Sequence, residues 1–238
     1  MSLPFFYIEH FDPAQQAIEL NEDTSRHIVQ VLRMKPGEKL NLTDGNGHLV
    51  STEIEDGHKK HCRVRVIETK KISQDKRNVS IGISLIKNTS RFEWFLEKAT
   101  EIGVNEIIPL ICERTEKQKF RSDRLKNILV SAMLQSQQCW LPSLQEPALF
   151  EEVVKISTQQ QKFIAHCIEE KKSALPALLS VPVASQLLLI GPEGDFTTGE
   201  VELALQHHFV PVLLGSTRLR TETAGIVAAT LLKQLSEF

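Results

Sequence analysis

Leu187-Leu188-Leu189-Ile190-Gly191-Pro192-Glu193-Gly194-Asp195-Phe196 is the stretch from which the rest of the chain can be read. Four consecutive apolar residues predict a strand buried on both faces, as in a parallel sheet. Gly-Pro-Glu-Gly then breaks the strand, and its glycines permit close approach of backbone to a ligand. Thr197, Thr198 and Glu200 open a helical pattern carried by Val201, Leu203, Ala204 and Leu205. About twenty residues on, Val210-Pro211-Val212-Leu213-Leu214-Gly215 repeats the motif, followed by a polar loop and a helix from about Thr223. Ligands of open α/β sheets bind outside the carboxyl ends of the strands. Two such loops on neighbouring strands are therefore expected to face one crevice.

Working outward, the segment from 74 to 238 alternates strand and helix. Strands are expected at Val79–Ile86, Glu106–Ile111 and Phe163–Cys167. Helices are expected from an Asn88 or Ser90 cap to Gly103, over Arg124 to about Gln138, and near Ala174–Leu179. Such alternation means a mainly parallel sheet covered on both faces. Residues 1–73 read differently. Short strands at Phe5–Ile8, Lys39–Thr43, His48–Glu55 and Cys62–Thr69 are joined by Asp44-Gly45-Asn46-Gly47 and by Asp56-Gly57-His58-Lys59. A short helix capped by Asp23 or Thr24 and stopped at Pro36-Gly37 completes a small barrel. Ser73 to Asn78 is polar and marks the boundary between the two domains.

The 238 residues are 41% hydrophobic and 24% charged, the composition of a soluble globular chain, with no run long enough to span a membrane. Cys62, Cys112, Cys139 and Cys167 are scattered without a Cys-x-x-Cys pair, which argues against a disulfide framework or zinc site and for the cytoplasm. His58 and His61 flank lysines in a turn and read as solvent-exposed, so no metal is expected. The net charge of −2 means that any nucleic-acid contact comes from a local patch. Two patches qualify. Arg26, Arg33 and Lys35 lie on the short helix and its end, where an RNA edge and a merely solvated face are equal readings. Arg114, Lys117, Lys119, Arg121, Arg124 and Lys126 exceed their acidic neighbours by three charges on a loop at a strand's carboxyl end, suiting phosphate contact.

Leu189-Ile190-Gly191-Pro192-Glu193-Gly194 together with Leu213-Leu214-Gly215-Ser216-Thr217-Arg218-Leu219-Arg220-Thr221-Glu222-Thr223-Ala224 resembles the SPOUT superfamily of S-adenosylmethionine-dependent RNA methyltransferases. Within it, the chain is similar to the bacterial family that methylates N3 of a uridine in small-subunit ribosomal RNA. Val31-Leu32-Arg33-Met34 with Pro36-Gly37, Glu97-Lys98-Ala99-Thr100-Glu101-Ile102-Gly103-Val104, Pro109 and Glu113-Arg114 extend the likeness along the whole chain. The resemblance implies a PUA-like RNA-binding β-barrel over 1–73 and an α/β methyltransferase domain with a deep trefoil knot over 74–238. Threaded chains are rare, and only the resemblance implies this one. It also implies a homodimer acting on ribosomal RNA or the assembled small subunit. Ala224, Gly225, Ala228 and Ala229 suit close approach of a partner's backbone, or packing inside one subunit.

For the cofactor, Leu189, Ile190, Gly191, Pro192, Glu193, Gly194, Leu214, Gly215, Leu219, Arg220, Thr223 and Ala224 are the candidate contacts. Uridine N3 must lose its proton to attack, and the charge then spreads onto O2 and O4. Arg220 is the candidate cation for that charge, with phosphate contact as its alternative. Glu222 is the candidate base, with Glu193 as the other option and a favourable place in the first helical turn as the bland one. Arg91 joins the candidate RNA contacts, and it and Glu101 could equally reach the dimer partner. Two departures from the family pattern stand out: Asp195 replaces a frequent glycine, and Gln137-Gln138-Cys139-Trp140-Leu141-Pro142 lacks a usual arginine. The rival readings are another target nucleotide, an inactive RNA-binding relative, and a nucleotide enzyme on a doubly wound sheet. The last lacks both a Gly-x-Gly-x-x-Gly and a P-loop lysine.

Overall fold

A computed structural model describes residues 3–116, 120–168, 171–179 and 183–234. They form two compact units, residues 1–74 with 133–141, and residues 75–132 with 142–238.

The first unit contains β1 (Phe5–Tyr7), β2 (Ala17–Glu19), α1 (Glu22–Arg26), β3 (Lys39–Thr43), β4 (His48–Asp56) and β5 (Arg63–Lys71) in one sheet of order β1-β3-β4-β5-β2. Alternation sends Leu40, Leu42, Val50, Ile54 and Val64 inward, where they meet Ile18, Leu20, Ile28 and Cys62. Register shifts at Ser51/Thr52 and Ile54/Asp56 curl the long β4–β5 ribbon. The expected helix is shorter than its pattern suggests. Asn21, not Asp23 or Thr24, caps it by accepting from Thr24 N–H. After Arg26 it widens into a π turn over His27–Val31, and Arg33 at φ 57° reverses the chain before Pro36 is reached. The wide turn sinks Ile28 into the core and leaves Val31 and Leu32 exposed.

Asp44 organises the β3–β4 turn. Its carboxylate accepts from the backbone N–H groups of Asn46 and His48 and lies 2.7 Å from His48 Nδ1. Burial pushes the Asp44 carboxyl up, but the His48 contact and the two backbone hydrogen bonds outweigh it, so the group sits below the ordinary carboxylate range. A depressed carboxyl contributes stability above its unfolded value of about 4, and this is lost as pH falls through the lower folded value. Asp44→Ala is therefore expected to cost about 1–3 kcal/mol near neutrality. That difference shrinks below about pH 4, read from denaturant midpoints across pH.

Residues 133–141, which begin in the last turn of a helix that starts at Ser122, fall in this unit. Cys139 C=O accepts from Gly47 N–H, Leu141 N–H donates to Gly45 C=O, and Trp140 Nε1 donates to Ile72 C=O. The indole lies flat over Gly47, where any Cβ would collide with the ring, and Lys71 Nζ sits 5.2 Å from its centroid. The stretch that departs from the family pattern thus carries a tryptophan seated in the Asp44–Gly47 turn.

The second unit runs β6 (Asn78–Ser84), α2 (Thr89–Ile102), β7 (Glu106–Ile111), α3 (Ser122–Gln135), β8 (Ser143–Leu144), β9 (Ala148–Leu149), α4 (Phe150–Ile156), β10 (Gln161–Ala165), β11 (Ser173–Ala174), α5 (Leu175–Leu178), β12 (Ser185–Ile190), α6 (Thr198–Gln206), β13 (Val210–Leu213) and α7 (Thr221–Gln234). Its sheet has the order β11-β13-β10-β12-β6-β7-β8, with β9 beside β7, and every pairing is parallel. Local signals set the helix ends. Asn88 caps α2, Gly103 leaves it at φ 91°, and Thr197 with Glu200 closes a reciprocal capping box on α6. Leu187 and Leu189 pack with Phe150, Val153, Val201 and Ala204 on one face of the sheet. On the other, α7 lies against β6, β12 and α2. The two glycine-bearing strands are not neighbours, because β10 lies between β12 and β13.

Candidate active site

The interposed β10 changes what surrounds the crevice. A cavity of about 680 Å³ opens at the carboxyl ends of β10, β12 and β13, walled by three loops instead of the two expected. Ile190, Gly191, Pro192, Glu193 and Asp195 come from β12 and its turn; Leu214 through Arg220 follow β13; Ala165, His166 and Cys167 end β10, and Lys172, Thr221 and Ala224 complete the wall. Thr221 Oγ1 donates to Gly191 C=O at 3.1 Å, tying the start of α7 to the turn after β12. Helix α7 accordingly begins two residues before the expected Thr223.

Asp195 occupies a left-handed conformation, φ 64°, that a glycine adopts freely. Its carboxylate accepts from Phe196 N–H at 2.9 Å and from Cys167 N–H at 2.7 Å, clasping the β12 turn to the end of β10. Asp195→Ala is expected to cost about 1.5–3 kcal/mol through the lost charge-assisted hydrogen bond. Asp195→Gly, which relieves a backbone strain of about 1–2 kcal/mol, is expected to cost less by that amount. Denaturant unfolding of the two variants reads the difference.

Of the cofactor candidates, Ile190, Gly191, Pro192, Glu193, Leu214, Gly215, Leu219, Arg220 and Ala224 line the cavity. Leu189, Gly194 and Thr223 do not. Leu189 is fully buried in the core and touches Gly82, where a Cβ would meet its Cδ2. Gly194 carries Arg114, whose Nη1 donates to its carbonyl at 2.6 Å. Glu222 is also outside the lining: it is buried, with Oε1 3.6 Å from Arg91 Nε on α2. Arg220 and Arg218 are exposed on the cavity wall, and neither has an ion pair among the described residues. The remaining RNA candidates divide. Arg26 is paired with Glu22 at 2.8 Å, Arg33, Lys35 and Arg121 are exposed, and Lys117 and Lys119 lie outside the described residues.

The cavity suits a nucleoside-bearing ligand. Ile190, Pro192, Val212, Leu214 and Leu219 give it apolar walls, and Gly191 packs closely on Phe196, from which a Cβ at that position would stand 3.1 Å. At Gly215 a Cβ would meet no protein atom within 4 Å, so protein packing does not require this glycine. Its absent side chain keeps open space along the cavity. Cys112, near the end of β7, is no nucleophile: burial pushes its thiol up to about 12. Sequence reasoning missed Asp195, His166, Cys167, Lys172, Ser216, Thr217 and Arg218 as wall residues.

Residues 73–233 match the family model of an RNA methyltransferase domain, and residues 20–67 match that of an RNA methyltransferase PUA domain. The chain belongs to this RNA methyltransferase family. Ribosomal RNA small subunit methyltransferase E of Buchnera aphidicola (Schizaphis graminum) is 29% identical, over 97% of this chain and 96% of its own. A probable rRNA methyltransferase from Porphyromonas gingivalis superposes with a TM-score of 0.91 at 37% identity, covering 99% of both chains. The Ribosomal RNA small subunit methyltransferase E of Neisseria gonorrhoeae, solved bound to S-adenosyl methionine, gives 0.87 at 26% identity over 98% of both. The α/β fold with a PUA-like amino-terminal domain is thus that of SPOUT methyltransferases.

Proposed function

We propose that this protein transfers a methyl group from S-adenosylmethionine to N3 of a uridine in small-subunit ribosomal RNA, acting as a homodimer in the cytoplasm. The observation that carries the reading is the cavity at the Gly191–Phe196 and Leu214–Arg220 loops, with two exposed arginines on its wall that have no ion pair among the described residues. Bound S-adenosylmethionine supplies an electrophilic methyl group. Ile190, Leu214 and Leu219 hold the adenosine part, and the backbone groups of the two loops orient it. Positioning of this kind contributes roughly 7–11 kcal/mol of a displacement barrier.

Arg220 faces the charge that develops on uridine O2 and O4 as N3 loses its proton. Glu193 is the carboxylate we favour as base, since it stands on the cavity wall while Glu222 is turned to Arg91. A positioned base is worth about 10²- to 10⁴-fold. Glu222 then acts through Arg91 and the positive end of α7. Residues 214–220 share one cavity with the ends of β10 and β12, which accords with the knotted arrangement that the resemblance implies. Half-buried Ile226, Val227 and Leu231 on α7 offer apolar area to a second copy.

The test is transfer of labelled methyl from S-adenosylmethionine to unmodified small subunits, followed by nucleoside analysis. Label in 3-methyluridine is the expected result. Label in another nucleoside overturns the acceptor, and no cofactor binding overturns the reading of both loops.

A further inference from the structure

A second cavity, of about 300 Å³, lies in the same unit between the amino-terminal ends of α2 and α3 and shares no lining residue with the first. Its floor is apolar, from the buried Ile86, Phe92 and Leu125, and the half-buried Phe120 stands at its side. One wall is an ion pair: Arg124 Nη2 donates to Glu93 Oε2 at 2.9 Å, with Nε 2.8 Å from Oε1. A guanidinium fixed in this way presents a flat face, the surface on which unstacked RNA bases are held. At the rim stands Arg121, exposed and without an ion pair among the described residues. The positive ends of two fourteen-residue helices add to its field.

The two cavities share a partition. The loop leaving β6 supplies Leu85 and Ile86 to the second, and in the same loop Lys87 N–H donates to Glu193 Oε1, on the wall of the first, at 3.2 Å. The second cavity lies beyond the carboxyl end of β6, the strand next to β12, at whose carboxyl end the first one opens. An isolated inorganic anion has no use for an apolar floor, and an uncharged ring has no use for Arg121. A nucleotide uses both.

We propose that this cavity holds a nucleotide flanking the methylated uridine, its base between Phe120 and the Glu93–Arg124 pair and its phosphate on Arg121. The inference rests on the RNA methyl-transfer reading above. It makes the cavity a determinant of which uridine is presented, separate from cofactor binding.

Thr89 is exposed in the first turn of α2 at the cavity mouth, so Thr89→Trp fills the space from outside without entering the core. In the full-length protein, Thr89→Trp and Arg121→Ala are each expected to raise KM for unmodified small subunits about tenfold, the scale of one lost base stack or phosphate contact. The kcat stays within about twofold, because the contact is made equally in ground and transition states. Affinity for S-adenosylhomocysteine is unchanged. Filter binding of small-subunit RNA, with S-adenosylhomocysteine present, reads the same cavity without chemistry, and a similar loss of affinity is expected. Thr89→Glu repeats the test by charge should the indole disturb folding. Wild-type protein that transfers methyl, with all three variants at wild-type KM and RNA affinity, overturns the inference and leaves the function standing. RNA binding weakened by the variants, in a protein that transfers no methyl, overturns the function and leaves the cavity assigned.

Discussion

Arg220→Ala is expected to lower kcat for methyl transfer by about 10²- to 10³-fold, the usual cost of removing one preorganised group facing a developing oxyanion. Cofactor affinity is expected to change little. Arg220 is the last residue of the loop that closes the cavity, immediately before Thr221 anchors α7 to Gly191 C=O. Its base is therefore fixed by a hydrogen bond, while its guanidinium is exposed and free of ion pairing among the described residues. A cation already committed to a carboxylate contributes less to a new negative charge; Arg91, beside the buried Glu222, is in that position. The measurement also separates the two roles that sequence left open. A phosphate contact, equal in ground and transition states, raises KM and spares kcat. A cation acting on O2 and O4 does the reverse, and Arg220→Lys, which keeps the charge but not the planar fork, recovers only part of the rate.

The strand–turn–helix at 185–206 was legible because its signals are local. Consecutive leucines, a Gly-Pro-Glu-Gly break and the Thr197–Glu200 capping box each act within a few residues. Asn88 and Gly103 bounded α2 for the same reason. Strand order is a different kind of quantity. Nothing in Phe163 or Ile164 says that β10 inserts between β12 and β13, and so the β10 end, with His166 and Cys167, was not foreseen as a cavity wall. Four of the shortest strands, β2, β8, β9 and β11, have only two or three residues and show no period, whereas the equally short β1 was marked by consecutive aromatic residues. Asp195 and the 137–142 stretch depart from the family pattern, but the sequence does not explain them, because Asp195 and Trp140 act on distant partners: Cys167 for the first, Gly47 and Ile72 for the second.

Gly225 shows how a correct pattern can serve a different contact. Its small-residue neighbourhood on α7 suits either a partner's backbone or the chain's own core, and the structure uses Gly225, Ala228 and Ala229 inside the subunit. A Cβ on Gly225 would stand 2.6 Å from Phe95 Cε2 and 3.0 Å from Ile83 Cδ1. Neither neighbour has room to yield, since both are fully buried between α2, α7 and the sheet. Gly225→Val is therefore expected to destabilise the protein by about 3 kcal/mol, the upper part of the usual range for overpacking. Gly225→Ala costs less, because alanine regains about 1 kcal/mol of helix propensity against the same clash. Urea midpoints at several protein concentrations decide between the two contacts. An intramolecular clash lowers the midpoint by the same amount at every concentration. A glycine that served only the partner's approach would leave the subunit's own stability intact and show its effect through assembly alone.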